Sequence, residues 1–174
     1  VPGEEGDVDV LFDLEGIDSA NSNRSLAQGV GWGRRLPDSE QWRFSYDVLL
    51  SLVAGGVGVL RDVSGADSYL AAGFAQGMGR HYGVGLLHDS DGDDVYSSRA
   101  RSLGYGEDSG LGVLLEAAGD DAYNEETDWV FGGTLGAAQG WGAGVLIDEL
   151  GDDTYLSDAL SQISMLSYWS CSAA

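Results

Sequence analysis

The chain has 174 residues, 43% of them hydrophobic, a size that supports one domain with a buried core. Eight Lys and Arg against 29 Asp and Glu give a net charge of −21, which opposes binding to nucleic acid and to anionic membrane surfaces. Twenty-eight glycines beside two prolines exclude a collagen or a Pro-rich linker, so glycine must serve a repeated backbone geometry.

In chain order, "VPGEEGDVDV" shows neither an initiator Met nor a charged-then-apolar signal pattern, and reads as the start of a processed product or fragment. No apolar run approaches the roughly 18 residues that cross a bilayer, and membrane insertion is not expected. Residues 7–20 contain "DVLFDLEGIDSA", a degenerate first copy of a motif that recurs later, with Ala20 in place of Tyr. An "AQG" follows at 27–29. Residues 36–56 read as an insertion; within it "WRFSYDVLLSLV" alternates in the strand period, and aromatic and β-branched content favours a strand over the rival helix.

Residues 57–156 hold four full copies: "GVLRDVSGADSY", "GLLHDSDGDDVY", "GVLLEAAGDDAY" and "GVLIDELGDDTY". Their leading glycines, Gly58, Gly85, Gly112 and Gly144, are 27, 27 and 32 residues apart. A second glycine, Gly77, Gly104 or Gly136, precedes each of the last three by eight, although the "AQG" at 138–140 offers a rival register. Residues 157–174 form a C-terminal cap or assembly segment, and the single Cys171 within it leaves no disulfide inside the chain.

A unit of about 27 residues is too short for a propeller blade and lacks leucine-rich spacing, but suits one coil of a parallel stack. The expected fold is a single all-β domain over 1–174, a parallel β-solenoid (β-helix) of four to five coils. Each coil is expected to hold an apolar strand, a Gly-Asp turn, a strand after the Tyr and a Gly-rich third side. Leu60, Leu87, Leu114 and Leu146 should line one core row, and Tyr69, Tyr96, Tyr123 and Tyr155 should stack, as packing first and as a sugar-binding row second.

Stacking turns the repeated acids into ladders: Asp13, Asp62, Asp89, Glu116 and Asp148; Asp18, Asp67, Asp94, Asp121 and Asp153; and Asp93, Asp120 and Asp152. Like charges one strand spacing apart, about 4.8 Å, repel by roughly 1 kcal/mol in water and about 3–4 kcal/mol near a protein surface. Three uses would offset this. The carboxylates bond turn amides two residues on, they form a solvated edge, or they hold a hard divalent cation. The candidate calcium ligands are Asp62, Asp67, Asp89, Asp91, Asp94, Asp121, Asp148 and Asp153, and the local charge is greatest where Asp89, Asp91, Asp93 and Asp94 crowd together.

"GADSY", "GDDVY", "GDDAY" and "GDDTY" resemble the second half of the calcium-binding nonapeptide of RTX proteins, a family whose parallel β-roll binds Ca²⁺ between turns. The resemblance covers about five residues per copy. The leading Gly-Gly is replaced by "VS", "SD", "AA" and "EL", and the period is 27 rather than nine. The wider pattern also resembles Gly-Asp-Tyr repeat segments of bacterial extracellular proteins, which implies an extracellular or cell-surface setting.

No P-loop, dinucleotide fingerprint or Ser-His-acid set is evident, and His81 and His88 are the only histidines. The expectation is a non-catalytic structural module that self-associates end to end through residues 163–171, as a filament or surface-layer/adhesin component. The alternative is a glycan-binding or lyase-like solenoid, with Arg61, Arg80, Arg99 and Arg101 as the available bases.

Overall fold

The computed structural model describes residues 8–12, 19–22, 28–32, 55–124 and 133–156. Every element in it is a strand. In chain order they are β1 (Val8–Phe12), β2 (Ser19–Ser22), β3 (Gly31–Trp32), β4 (Val57–Arg61), β5 (Ser68–Ala71), β6 (Gly79–Arg80) and β7 (Val84–Asp89). Then come β8 (Val95–Ser98), β9 (Gly106–Glu107), β10 (Leu111–Glu116), β11 (Ala122–Tyr123), β12 (Ala138–Gln139), β13 (Ala143–Asp148) and β14 (Thr154–Tyr155).

These form three sheets, ordered β1-β4-β7-β10-β13, β2-β5-β8-β11-β14 and β3-β6-β9-β12, and every pairing is parallel. The chain thus visits the first, second and third sheet in turn, which is the expected parallel β-solenoid. The degenerate copy keeps register: Asp9 pairs with Gly58, and Ala20 with Tyr69. The second strand of each coil includes the Tyr rather than following it.

Alternation along the first sheet explains its packing. In β7, Gly85, Leu87 and Asp89 face inward and are buried, whereas Val84, Leu86 and His88 face outward. Leu60, Leu87, Leu114 and Leu146 form one buried row together with Tyr69, Tyr96, Tyr123, Leu103 and Leu135. A smaller cluster of Met78, Tyr105 and Ala137 lies under the third sheet.

Two glycine rows set the cross-section. A Cβ on Gly85 would lie 2.1 Å from the Met78 carbonyl oxygen, so the first and third sides meet backbone to backbone and only glycine fits. At the acid turns, a Cβ on Gly119 would lie 1.6 Å from the Gly92 oxygen of the preceding coil. The turn from β6 to β7 closes with the Gly83 N–H donating to the Arg80 carbonyl at 2.9 Å. Its central residues, His81 and Tyr82, both have positive φ, the type I′ pattern.

The register question between the two "AQG"-like markers is resolved in favour of Gly136. The N–H groups of Gly77, Gly104 and Gly136 donate to the carbonyls of Gln28, Gln76 and Leu103, a single ladder, whereas Ala138 pairs with Gly106 on the third sheet. The five extra residues of the last interval therefore lie between Tyr123 and Gly136. Most of the 36–56 insertion, including 42–53, and all of the 157–174 segment with Cys171 lie outside the described residues, as do Asp13 and Asp18.

A candidate metal centre inside the acid turns

The first acid ladder ends the strands of the first sheet on their inward face. Asp89, Glu116 and Asp148 occupy equivalent register positions, and Asp62, Asp89, Glu116 and Asp148 are all buried. One oxygen of each of the first three accepts the N–H of the very next residue: Val63 to Asp62 and Ser90 to Asp89 at 2.7 Å, Ala117 to Glu116 at 3.1 Å. The sequence-based expectation of a bond two residues on is not what forms. The acid at the strand end folds its carboxylate back onto the turn's first amide.

The second ladder works between coils. Asp94 accepts the Asp67 N–H at 2.7 Å, Asp121 accepts the Asp94 N–H at 2.8 Å, and Asp153 accepts the Asp121 N–H at 3.0 Å. Asp67, Asp94 and Asp121 are buried. The third ladder repeats the device at the surface, with the Asp120 N–H donating to Asp93 and the Asp152 N–H to Asp120. Asp93, Asp120 and Asp152 are exposed and supply the solvated edge.

The tyrosines close the arrangement from the second sheet. Asp67, Asp94 and Asp121 of the second ladder stand two residues before Tyr69, Tyr96 and Tyr123, and acid and ring alike are turned inward and buried. Tyr69, Tyr96, Tyr123 and Tyr155 stack with centroid separations of 4.8, 5.0 and 4.7 Å and interplanar angles of 7° or less. Tyr69 donates to Asp89 and Tyr96 to Glu116; Tyr123 and Tyr155 donate to Asp148 Oδ2 at 3.0 and 2.5 Å. Tyr69, Tyr96 and Tyr123 are at most 2% exposed, so that row is packing and cannot serve as a sugar platform.

Burial disfavours charge on these acids. It pushes Glu116 up to about 9, against the Tyr96 hydroxyl that lowers it. It pushes Asp94 up to about 8 and Asp121 up to about 7, in each case opposed by the amide the carboxylate accepts and reinforced by neighbouring acids. Asp148 is raised too, by burial first, with the Tyr155 and Tyr123 hydroxyls pulling the other way. The four stacked tyrosines are pushed far above their ordinary value, chiefly by burial and then by the facing carboxylates.

Three groups bring carboxylate oxygens within 4.8 Å of one another: Asp62, Asp67 and Asp89; Asp89, Asp94 and Glu116; and Asp121, Asp148 and Asp153. That span is about twice a Ca–O bond of 2.3–2.6 Å, so one hard cation can touch all three donors of a group. In the third group Asp121 Oδ2 and Asp148 Oδ1 are buried with no hydrogen-bond partner, on residues only 2% and 3% exposed. The ion pairs of Arg80 and Arg101 with Glu107, and of His81 with Asp108, lie on the third side, away from these acids.

Seven of the eight residues singled out from the sequence fall in these groups; Asp91 is exposed and belongs to none. The crowd at 89–94 therefore divides, with Asp89 and Asp94 turned in and Asp91 and Asp93 in solvent. Glu116 joins a group but was placed only in a ladder, although it fills the Asp/Glu position of the motif. The Tyr hydroxyls as partners of the acids were not anticipated: Tyr69, Tyr96 and Tyr123 bond the strand-end acid of the following coil, 20 to 25 residues on, a pairing that shows only once the coils are stacked. No protein-family model matches the chain, and neither does any curated protein or solved structure.

Proposed function

We propose that this chain is a non-catalytic structural module, a solenoid whose interior acid row is neutralised by divalent cations, calcium first. The observation that carries the reading is the third acid group. Two buried carboxylate oxygens, Asp121 Oδ2 and Asp148 Oδ1, lack a hydrogen-bond donor on residues whose carboxylates come within 4.8 Å of each other and of Asp153, and leaving such groups unmatched costs about 1–3 kcal/mol or more each. An ion there would offset both their desolvation and the repulsion along the ladders. All-oxygen donors with no His or Cys in the three groups suit a hard cation. An extracellular setting fits, because modules of that kind work where calcium is plentiful.

The test is calorimetric titration of chelator-treated protein with Ca²⁺, followed by thermal unfolding. Saturable binding with a raised melting temperature is expected, because a ligand bound only by the folded state stabilises it by mass action. Asp121→Asn with Asp148→Asn should remove at least one site. A chelator-treated protein that binds no Ca²⁺ and melts unchanged in its presence contradicts the proposal.

A further inference from the structure

The outward face of the first sheet differs from the rest of this acidic molecule. Strands β4, β7, β10 and β13 direct twelve side chains outward; ten are aliphatic, none is acidic, and the remaining two are Arg61 and His88. Its central row is Val59, Leu86, Val113 and Val145, in register and half-buried. A contiguous aliphatic sheet face on a chain of net charge −21 marks a contact surface. At one edge the last outward residues are Arg61, His88, Leu115 and Ile147; at the other, β7 and β13 are entered from turns that carry Tyr82 and Trp141.

Those two aromatics are a separate observation. Tyr82 and Trp141 have φ of 65° and 66°, a conformation costly for bulky side chains, at positions where Gly or Asn fits more easily. Trp141 is 97% exposed and Tyr82 51%, so Trp141 gains almost nothing by packing in its own chain. A strained, exposed aromatic is what a contact outside the fold requires.

We propose that two copies of the chain pack face to face through this sheet, about a two-fold axis parallel to the stack of coils. That axis reverses the strand direction and keeps each coil level with its equivalent. The central row then meets itself, His88 comes to the turn of the partner's Tyr82, and Ile147 to that of the partner's Trp141. A second copy is the fitting occupant for three reasons. It presents the same flat rows at the same spacing, as sheet-on-sheet packing needs. It brings His88 onto the turn of the partner's Tyr82 and the aliphatic Ile147 onto that of the partner's exposed Trp141, so both aromatics gain a cover that their own chain does not give. It also joins two highly acidic chains through a face without carboxylates. Four strands about 4.8 Å apart and six residues long cover roughly 400 Å² per copy, or about 800 Å² in total, so the dimer is weak and reversible.

The experiment is sedimentation equilibrium of the full chain from micromolar to millimolar concentration, with and without Ca²⁺. A monomer–dimer equilibrium that stops at two and tightens with added salt is expected, because an isologous contact closes and salt screens the −21 charge. Leu86→Lys with Val113→Lys should weaken it at least tenfold. Trp141→Gly should also weaken it while raising the melting temperature of the monomer, since glycine relieves the positive φ; a purely structural tryptophan would not separate the two readouts. A chain that stays monomeric throughout, growth beyond two, or a Leu86→Cys, Cys171→Ser monomer whose thiol at 86 resists labelling because the chain itself covers the face, each overturns the proposal. So does Trp141→Gly dimerising as the unaltered chain does.

Discussion

Gly119→Ala tests the stacking geometry most severely. The new methyl would sit 1.6 Å from the Gly92 oxygen, against an ordinary C···O approach of about 3.3 Å, so the two coils must part by about 1.7 Å there. Parting them breaks the Gly92 N–H to Ala118 bond of 2.9 Å and the Asp120 N–H to Asp93 bond of 3.0 Å. At about 1 kcal/mol per bond, with about 1–3 kcal/mol for alanine at φ +152°, the loss is about 3–5 kcal/mol. That approaches the whole stability of an ordinary domain and corresponds to a fall of roughly 10–20 °C in melting temperature. The control is Ala118→Gly one residue earlier, expected to cost about 1 kcal/mol. Circular dichroism during heating reads both. A Gly119→Ala protein that melts within a few degrees of the unaltered chain would refute the close approach of successive turns.

Leu114→Ala, at a side chain with no exposure in the middle of the leucine row, should cost about 2–5 kcal/mol in urea unfolding, whereas Leu115→Ala, on the outer face, should cost far less. Tyr96→Phe removes the donor to Glu116 and should destabilise the chelator-treated protein by about 1–3 kcal/mol, read by the same assay. In the metal-free protein, Asp94, Glu116 and Asp121 hold protons more tightly folded than unfolded. Their contribution is therefore full near pH 4 and is lost as pH rises through about 7 to 9, so the melting temperature should fall from pH 5 to pH 9. Saturating Ca²⁺ should flatten that dependence, since the cation takes the place of the protons.

The coil was legible because its signals are periodic. Glycines at a fixed offset from a Leu and a Tyr can repeat only if equivalent residues stack, and the register follows even for the copy that ends in Ala20. The direction of the acids was less legible. A turn rich in Asp and Gly normally faces water, but alternation from Leu87 to Asp89 and from Asp94 to Tyr96 turns two of the four acids inward, where spacing outweighs polarity. The turns at His81–Tyr82 and Asp108–Ser109 carry no Gly or Asn to announce positive φ, since stacking on the coils above and below imposes it. The rival marker at 138–140 matches the "AQG" at 75–77 in residue type alone: Gly136 holds the expected place in the ladder, and Ala138 pairs with Gly106, two residues beyond it.

The central claim is that the buried acids hold a divalent cation, and tyrosine-sensitised terbium luminescence tests it most directly. Tb³⁺ is a hard, oxygen-seeking ion that substitutes for Ca²⁺, and Tyr123 and Tyr155 donate to the same Asp148 that bounds the third site. Excitation of the aromatic rings should therefore give Tb³⁺ emission that saturates, is displaced by Ca²⁺, and falls sharply in the Asp121→Asn, Asp148→Asn protein and in Tyr123→Phe, Tyr155→Phe. Emission that is absent, or that persists undiminished in both variants, would contradict it.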